Sequence, residues 1–357
     1  MSGGGGLIEP SSPFWAEVLD RTRHDIYHLP GYVVAEAARA GAVPVAFHWR
    51  NGRGKSLLVP LLLRPVGGSE YVDATSSYGY PGPLVVGDGF TEQDWRAASA
   101  ALVETLGENR AVTCFVRLNP LFPVNLDMLS SVGLVVYHGD TVNIDLRLSQ
   151  EQLWAQLRSP YRRDLRRGSE QGLRVVVDDR WDHLDEFISL YHETMRRVDA
   201  TSFYFFDRDY FQRLPDLVGD HVHLVLAMVD DVVASGGVFF EAGGIVEYHL
   251  GGTRDEYLPQ SPFKAVLHFV TTWAKDRSNT DFHLGGGVGE GGGSLLRFKL
   301  GFSPDRRPFH TWRIIIQEEP HRSLCAQFNP TADPDDLTGY FPPYRDGPAG
   351  DRVDPPT

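Results

Sequence analysis

The 357-residue sequence has little cysteine, no long apolar run and fewer basic than acidic residues. Its two cysteines, Cys114 and Cys325, are too few and too far apart for a disulfide framework or a thiolate metal site. The N-terminus MSGGGGLIEP lacks the basic and apolar segments of a secretion signal, and no run of 18 apolar residues occurs. We therefore expect a cytoplasmic protein without a membrane span.

The formal net charge of -13 argues against a protein that coats nucleic acid through general electrostatics. Such binding scales with the number of phosphates that the protein neutralises. The charge is uneven, however, because the segment from Arg158 to Arg174 holds six arginines against two acids. A local anion site is therefore compatible with the overall charge. The chain from Glu318 onward is rich in Pro, Gly and Asp, which is typical of an extended or disordered tail.

Glycine is abundant in the segment DFHLGGGVGEGGG, between a strand-like and a helix-like run. Gly287, Gly289 and Gly292 satisfy the pattern G-x-G-x-x-G of a dinucleotide-binding loop. With so many glycines almost any glycine pattern finds a match, so this fingerprint has little weight. We interpret the run as a compliant loop that lets a donor approach the following helix, with Gly286 and Gly287 among the substrate contacts.

The order of elements predicts two domains in an α/β (α+β) chain. The first half reads as helix, β-hairpin around NGRG, helix from about Glu92 to Leu106, and strands ending at TVNIDL. The second half opens with a capping box at Ser149 and Gln152, and it continues through helices, a three-strand meander, a helix, the strand DFHL, a short helix and the strand TWRIII. We predict domains at 1–147 and 148–317 and a tail at 318–357.

This order is that of the GNAT acyltransferase fold, with the first half as a shorter, degenerate copy. Several segments resemble the Fem-type (FemABX-like) aminoacyltransferase family: YRRDLRRGSEQG, ASGGVFF, EYHLGGT, SPFKAVLHFVTTWA, FHLGGGVG and LLRFKLGF. The resemblance covers roughly Tyr27 to Ile316 and is strongest after Ser149. It implies two tandem GNAT-like domains, each a mixed twisted sheet flanked by helices. It also implies an enzyme that moves an aminoacyl group from aminoacyl-tRNA to an amine and forms a peptide bond.

Two residues are the predicted catalytic groups. FKLGF is similar to the family's F-K-x-G-F segment, and the resemblance gives its lysine's role in transfer to Lys299, with Phe298 beside it. A cation on a rigid helix suits this role because acyl transfer passes through a tetrahedral oxyanion, although a solvated surface lysine is the alternative. His249 follows Tyr248 at the end of the meander, and its ordinary pKa near 6.5 suits a general base. A structural histidine is the alternative there.

The predicted substrate contacts surround these two groups. Arg162 and Arg166 are spaced i, i+4 and can form a fork for a phosphate or carboxylate. Arginines paired with nearby acids on a solvated face are the alternative. The full predicted set is Arg162, Arg163, Arg166, Tyr248, Gly286, Gly287, Arg297 and Phe298. No histidine spacing fits a metal site, because HETMR lacks the second histidine of a zincin helix.

The segment after the meander bears on the donor. GNAT enzymes bind the pyrophosphate of coenzyme A through a glycine-rich turn at a helix start. Here no glycine lies between Tyr257 and Lys264, and Pro262 has no amide hydrogen. This favours aminoacyl-tRNA as donor, without a cofactor, over acyl-CoA or another thioester. A catalytically silent binding protein is the third hypothesis.

The acceptor is predicted less closely than the donor. Some cell-wall enzymes of the Fem-type family have a long helical hairpin arm, and this sequence has no obvious segment of that kind. A small amine, such as a metabolite or a cell-wall precursor, is therefore the predicted acceptor. Antibiotic or other natural-product biosynthesis fits such a substrate.

Overall fold

The computed structural model describes residues 4–287 and 293–346. Its strands are β1 (Gly4–Ile8), β2 (Val43–Arg50), β3 (Ser56–Pro65), β4 (Val72–Thr75), β5 (Leu84–Val86), β6 (Ala111–Arg117), β7 (Leu134–Asp145), β8 (Arg174–Val177), β9 (Val222–Val229), β10 (Val232–Ala242), β11 (Ile245–Thr253), β12 (Asp281–Gly286) and β13 (Asp305–Ile315). Its helices are α1 (Pro13–Arg21), α2 (Pro30–Ala40), α3 (Glu92–Glu108), α4 (Leu126–Ser130), α5 (Gln150–Gln156), α6 (Ser159–Glu170), α7 (Leu184–Arg197), α8 (Arg208–Val218), α9 (Phe263–Asp276), α10 (Gly293–Lys299) and α11 (Glu318–Phe328).

The chain divides into two compact units. Unit 1 comprises Met1–His138 and Pro308–Thr357, and unit 2 comprises Gly139–Arg307. Strand β7 carries the chain out of unit 1, and β13 carries it back. This division differs from the predicted domains at 1–147 and 148–317, because the chain from Pro308 onward belongs to unit 1, where β13 pairs with β6.

Unit 1 contains a mixed sheet in the order β1-β2-β3-β4-β6-β13, with β5 also paired to β3. The parallel pair is β4 with β6, and the other neighbours are antiparallel. The predicted hairpin is confirmed, since β2 and β3 pair from Val43 with Leu63 to Arg50 with Ser56. Strand β1 was not predicted, because its sequence GGGLI has few residues that favour strands.

Unit 2 contains a mixed sheet in the order β7-β12-β11-β10-β9-β8. The predicted meander β9-β10-β11 is confirmed, and β12 lies parallel to β11. Two adjacent glycines show that helices cover both faces of this sheet. A Cβ on Gly251 would lie 2.6 Å from Phe263 of α9, whereas a Cβ on Gly252 would lie 2.9 Å from the Leu190 carbonyl oxygen of α7. Side chains alternate along a strand, so α9 and α7 pack on opposite faces.

The C-terminal segment is folded, so the prediction of an extended or disordered tail is wrong for residues 318–346. Helix α11 buries Leu324 and Cys325. Farther on, the Arg345 guanidinium donates to the buried Asp73 carboxylate at 2.6 Å. The average composition of the tail concealed the few apolar residues that anchor it in unit 1. Residues 347–357 lie outside the described part of the chain.

Candidate active site

The centre of unit 2 has a gap between its two parallel strands. Strands β11 and β12 pair only where Ile245–Glu247 faces Asp281–His283. Strand β11 nevertheless continues to Thr253, and β12 continues to Gly286. The last paired residues are therefore Glu247 and His283, and side chains beyond them can enter the space between the strands.

Lys299 lies at the open end of this gap. It is the last residue of α10, its side chain is buried, and its ammonium Nζ donates to the Gly286 carbonyl oxygen at 2.6 Å. Nζ also lies 5.4 Å from the centroid of the Tyr248 ring, a distance at which a cation is attracted to an aromatic face. The structure thus brings together three of the predicted site residues: Lys299, Tyr248 and Gly286.

Aromatic rings form the surroundings of Lys299. The Phe263 ring centroid lies 5.3 Å from that of Tyr248 and 6.4 Å from that of Phe298. These rings exclude water, and burial lowers the pKa of Lys299 to about 7 despite the opposing effect of the Glu247 charge. Burial also raises the pKa of the Tyr248 hydroxyl. The site can therefore hold lysine in both protonation states near neutral pH.

A buried polar group occupies the closed end of the gap. The Glu247 carboxylate lies 2.9 Å from Nδ1 of His283, and Nε2 of His283 lies 2.8 Å from the Thr141 hydroxyl. All three residues are buried. Sequence reasoning missed this group because its members come from β11, β12 and β7, and only strand register brings them together. Glu247 and His283 stand in the segments EYHLGGT and FHLGGGVG, but neither segment shows by itself that these two side chains meet.

The structure does not bring His249 to Lys299. Tyr248 contacts Phe263 of α9, whereas the neighbouring His249 points to the opposite face of β11. There Nε2 of His249 shares a 2.8 Å hydrogen bond with the Tyr210 hydroxyl of α8. This placement corresponds to the structural alternative for His249 and separates it from the predicted transfer site.

The predicted fork of Arg162 and Arg166 is also absent. The Arg162 guanidinium donates to the Ala155 and Leu157 carbonyl oxygens at the end of α5, at 3.2 and 2.5 Å. The Arg166 guanidinium instead lies 5.7 Å from the Trp154 ring centroid. Arg162 of α6 thus donates hydrogen bonds to the carbonyl groups at the end of α5, because the last carbonyl groups of a helix have no donor within it.

The remaining predicted contacts are placed around the site with different exposure. Phe298 is half-buried among the aromatic rings, and Gly287 is half-buried directly after β12. Arg163 and Arg297 are exposed. The glycines of the predicted compliant loop at 288–292 lie outside the described residues.

The structure also identifies contacts of α6 that sequence reasoning missed. The Tyr161 hydroxyl donates to the Phe298 carbonyl oxygen at 3.0 Å, directly before Lys299. Lys264 of α9 binds the Asp164 carboxylate at 2.6 Å, and its Nζ lies 4.4 Å from the Tyr161 ring centroid. The available signal was Tyr161 itself, an aromatic residue within the arginine-rich helix. Sequence reasoning considered only the arginines of that helix.

Residues 4–287 and 293–346 contain no group of three or more His, Cys, Asp or Glu side chains that could hold a metal ion. No described helix is both long enough and apolar enough to cross a bilayer. Cys114 and Cys325 are buried free thiols.

Comparison with known families bears on the chemistry of unit 2. Residues 155–299 match the family model described as an acetyltransferase (GNAT) domain, and the match ends at Lys299. The chain contains a GNAT-type acyltransferase domain. Comparison with curated protein sequences gives no significant match. The acyltransferase activity predicted from the sequence is therefore supported at the level of this domain.

Solved structures extend the likeness over both units. FemX matches with a TM-score of 0.66 at 16% identity, over 87% of this chain and 96% of that chain. L-PGS from Bacillus licheniformis matches with a TM-score of 0.54 at 13% identity, over 85% and 91%. A tandem GNAT protein from the clavulanic acid biosynthesis pathway matches with a TM-score of 0.50 at 12% identity, over 88% and 98%. At such identities the likeness establishes the tandem GNAT fold, which confirms the predicted fold class.

Proposed function

We propose that this chain is an aminoacyltransferase that moves an aminoacyl group from aminoacyl-tRNA to the amine of a small metabolite or cell-wall precursor. The amide C–N bond forms as the ester C–O bond to the tRNA ribose breaks. The proton that leaves the amine ends on the ribose oxygen. The observation that carries the proposal is the buried Lys299 ammonium at the open end of the gap between β11 and β12.

Lys299 would act on the charge that develops during transfer. Attack of the amine turns the ester carbonyl oxygen into an oxyanion, and the Lys299 ammonium can exchange its hydrogen bond to Gly286 for one to this oxygen. Aromatic rings keep water away, and electrostatic stabilisation is stronger in such a site than in water. A pKa of about 7 leaves a protonated fraction at neutral pH.

The start of α9 supports aminoacyl-tRNA over coenzyme A as the donor. The Lys264 amide donates to the Ser261 carbonyl oxygen at 3.1 Å, and the Ala265 amide donates to that of Pro262 at 2.9 Å. These amides are therefore directed at the chain rather than at a pyrophosphate. The absence of a glycine-rich turn and the Fem-type resemblance of FKLGF support the same donor.

Exposed arginines supply the proposed contacts to anionic groups of the substrates. Arg163 and Arg166 lie on α6, which contacts α10 through Tyr161, and Arg297 lies on α10 itself. Guanidinium groups bind phosphates and carboxylates through paired hydrogen bonds. A few such groups suffice for the acceptor end of a tRNA even though the chain is acidic overall. An acceptor from natural-product biosynthesis fits this proposal.

A second candidate function is N-acyl transfer from acyl-CoA or another acyl thioester. The description of the matched domain as an acetyltransferase favours it. Both functions form an amide and need stabilisation of the same oxyanion. They differ in the donor, so a donor assay separates them.

Lys299→Met tests the proposed role directly. We expect the variant to fold and to bind acceptor, while the rate of transfer falls about 100-fold or more, as expected for loss of an oxyanion-stabilising group. Lys299→Arg should rescue little, because the guanidinium is planar and larger. The measurement is single-turnover transfer from charged tRNA to candidate amines.

Lys275→Met is the matched control, because Lys275 lies in the same unit and its Nζ donates to the Leu146 carbonyl oxygen at 2.8 Å. This control should transfer at the wild-type rate. Wild-type transfer by Lys299→Met would exclude the proposed role of the lysine. Transfer from acyl-CoA with none from charged tRNA would replace the proposed function with the second candidate.

A further inference from the structure

Tyr161 of α6 contacts the C-terminal end of α10. Its hydroxyl donates to the Phe298 carbonyl oxygen at 3.0 Å. Its ring centroid lies 5.9 Å from that of Phe298 and 5.1 Å from that of Phe302. Lys299 directly follows Phe298, so this tyrosine fixes the backbone on which the proposed catalytic lysine stands.

Gly301 provides the space that the Tyr161 ring occupies. A Cβ on Gly301 would lie 2.1 Å from Cε2 of Tyr161, far inside van der Waals contact. The backbone of Gly301 is not in the left-handed region, so glycine is required here by space rather than by conformation. The Gly301 carbonyl oxygen also accepts the Arg158 amide at 3.0 Å. The end of α10 is therefore joined to α6 by backbone as well as by side chain.

A second set of contacts holds the tyrosine ring itself. Nζ of Lys264 lies 4.4 Å from the ring centroid, which is within the range of a cation–π interaction. Asp164, one turn along α6, holds the same ammonium at 2.6 Å. Asp164 of α6 and Lys264 of α9 thus hold the Tyr161 ring in place. The Tyr161 hydroxyl and ring in turn contact the C-terminal end of α10.

We propose that Tyr161 is the positioning residue for Lys299 and that Gly301 admits its ring. The inference rests on the proposed function, which requires the ammonium to meet an oxyanion. Catalytic groups need placement to within about 0.5 Å, supported by neighbours whose own positions are fixed. Helix α10 has seven residues, and a helix this short has little stability of its own. Contacts from α6 therefore determine where Lys299 stands.

The experiment compares Tyr161→Phe, which removes only the hydroxyl, with Gly301→Ala, which crowds the ring. The first readout is the labelling of Lys299 by an amine-reactive reagent as a function of pH, followed by peptide mass spectrometry. It reports the environment of the lysine without any donor or acceptor. The second readout is kcat and KM for transfer from charged tRNA, and circular dichroism confirms folding.

We expect Tyr161→Phe to lower kcat roughly threefold to tenfold with KM unchanged, as loss of one hydrogen bond gives. Gly301→Ala should lower kcat about 100-fold, because a small misplacement of a catalytic group has this effect. It should also raise the midpoint of Lys299 labelling, since a displaced ammonium regains water. In a Tyr161→Leu background, Gly301→Ala should have little further effect, because the crowding ring is gone.

Gly168→Ala is the matched control, because Gly168 lies on α6 and a Cβ there would be at 3.4 Å from its nearest neighbour. It should leave both readouts as in the wild type. Wild-type labelling and kcat in Gly301→Ala, additive effects in the double variant, or equal effects of Gly168→Ala would each overturn the inference. A shifted labelling midpoint in a protein that does not transfer from charged tRNA would retain the positioning role and reject the proposed function.

Discussion

At Lys299, two opposing effects act on a single ammonium group. Burial among aromatic rings lowers its pKa, whereas the negative charge of Glu247 raises it. Burial is the larger of the two effects. The resulting pKa of about 7 makes the charge of Lys299 sensitive to pH in the physiological range.

The pH dependence of stability tests this environment. In the folded protein Lys299 releases its proton near pH 7, whereas an unfolded lysine does so near pH 10.4. Between these values the unfolded chain binds more protons, so the contribution of Lys299 to the free energy of unfolding rises with pH. Below pH 7 the cost of burying the charge is fully present. We therefore expect Lys299→Met to be more stable than the wild type at about pH 6, with a gain that shrinks toward pH 10.

Urea unfolding of both proteins at several pH values measures this gain. Groups that titrate identically in both proteins cancel in the difference. Lys275→Met controls for the loss of a lysine from unit 2. A difference between Lys299→Met and the wild type that stays constant with pH would contradict the buried, partly neutral state of Lys299.

At the scale of elements, the arginines of α6 make different contacts and have different roles. Arg162 faces the end of α5 and binds its carbonyl oxygens, whereas Arg166 lies near Trp154. Arg167 pairs with Asp164, and Arg163 is exposed. The i, i+4 spacing placed two arginines on one helical face, but the sequence did not show that this face meets another helix.

Replacement of two arginines separates these tasks. Arg162→Ala should lower the free energy of unfolding by about 1–3 kcal/mol, because it removes charge-assisted hydrogen bonds to the α5 carbonyls. Arg163→Ala should change it by less than about 0.5 kcal/mol, as surface substitutions generally do. Chemical denaturation gives both values. If Arg162→Ala kept its stability but lost anion binding, the result would support the predicted anion-binding pair of Arg162 and Arg166 instead.

The elements with local signals could be predicted from the sequence. The capping box at Ser149, the hairpin of β2 and β3 and the meander are all set by neighbouring residues. Glu247 and His283 meet only through the register of two strands, and no local pattern encodes that register. The sequence likewise gave Tyr248 and His249 as neighbours, but it did not show which face of β11 carries the site.

At the scale of the whole molecule, the two units repeat one arrangement and differ at the corresponding gap. In unit 1 the parallel pair β4 and β6 ends at Thr75 and Phe115. The chain stays joined beyond it, because the Ser76 amide donates to Phe115 at 2.8 Å and the Ser76 hydroxyl accepts the Arg117 amide at 3.0 Å. Ser76 thus keeps β4 and β6 joined at the position where, in unit 2, β11 and β12 separate. This difference supports the interpretation of unit 1 as a degenerate copy.

Unit 1 is also built from two distant parts of the chain, and this explains the misplaced domain boundaries. Composition indicated a change of character after Ile316, where acidic and proline-rich residues begin. Composition does not report which unit a strand joins, so the part of β13 from Pro308 onward was assigned to the wrong unit. Stability of unit 1 should therefore depend on residues near the C-terminus.

The buried ion pairs of Asp73 provide the test. Its two carboxylate oxygens accept from Arg64 at 2.7 Å and from Arg345 at 2.6 Å, and all three side chains are buried. Removing one member of a buried pair generally costs about 3–5 kcal/mol, because a charge is left without its partner. Arg345→Ala should lie at the lower end, near 3 kcal/mol, since Asp73 keeps Arg64.

Asp73→Ala should be more damaging, because it leaves two buried guanidinium groups facing each other. Arg322→Ala is the control from the same segment, since its pair with Asp335 is exposed and such pairs contribute about 0–1 kcal/mol. Urea unfolding ranks the three variants by their loss of stability. Hydrogen exchange should show that the protection lost in Asp73→Ala and Arg345→Ala lies in unit 1. If Arg345→Ala were no more destabilising than Arg322→Ala, the C-terminal segment would not be a structural part of unit 1.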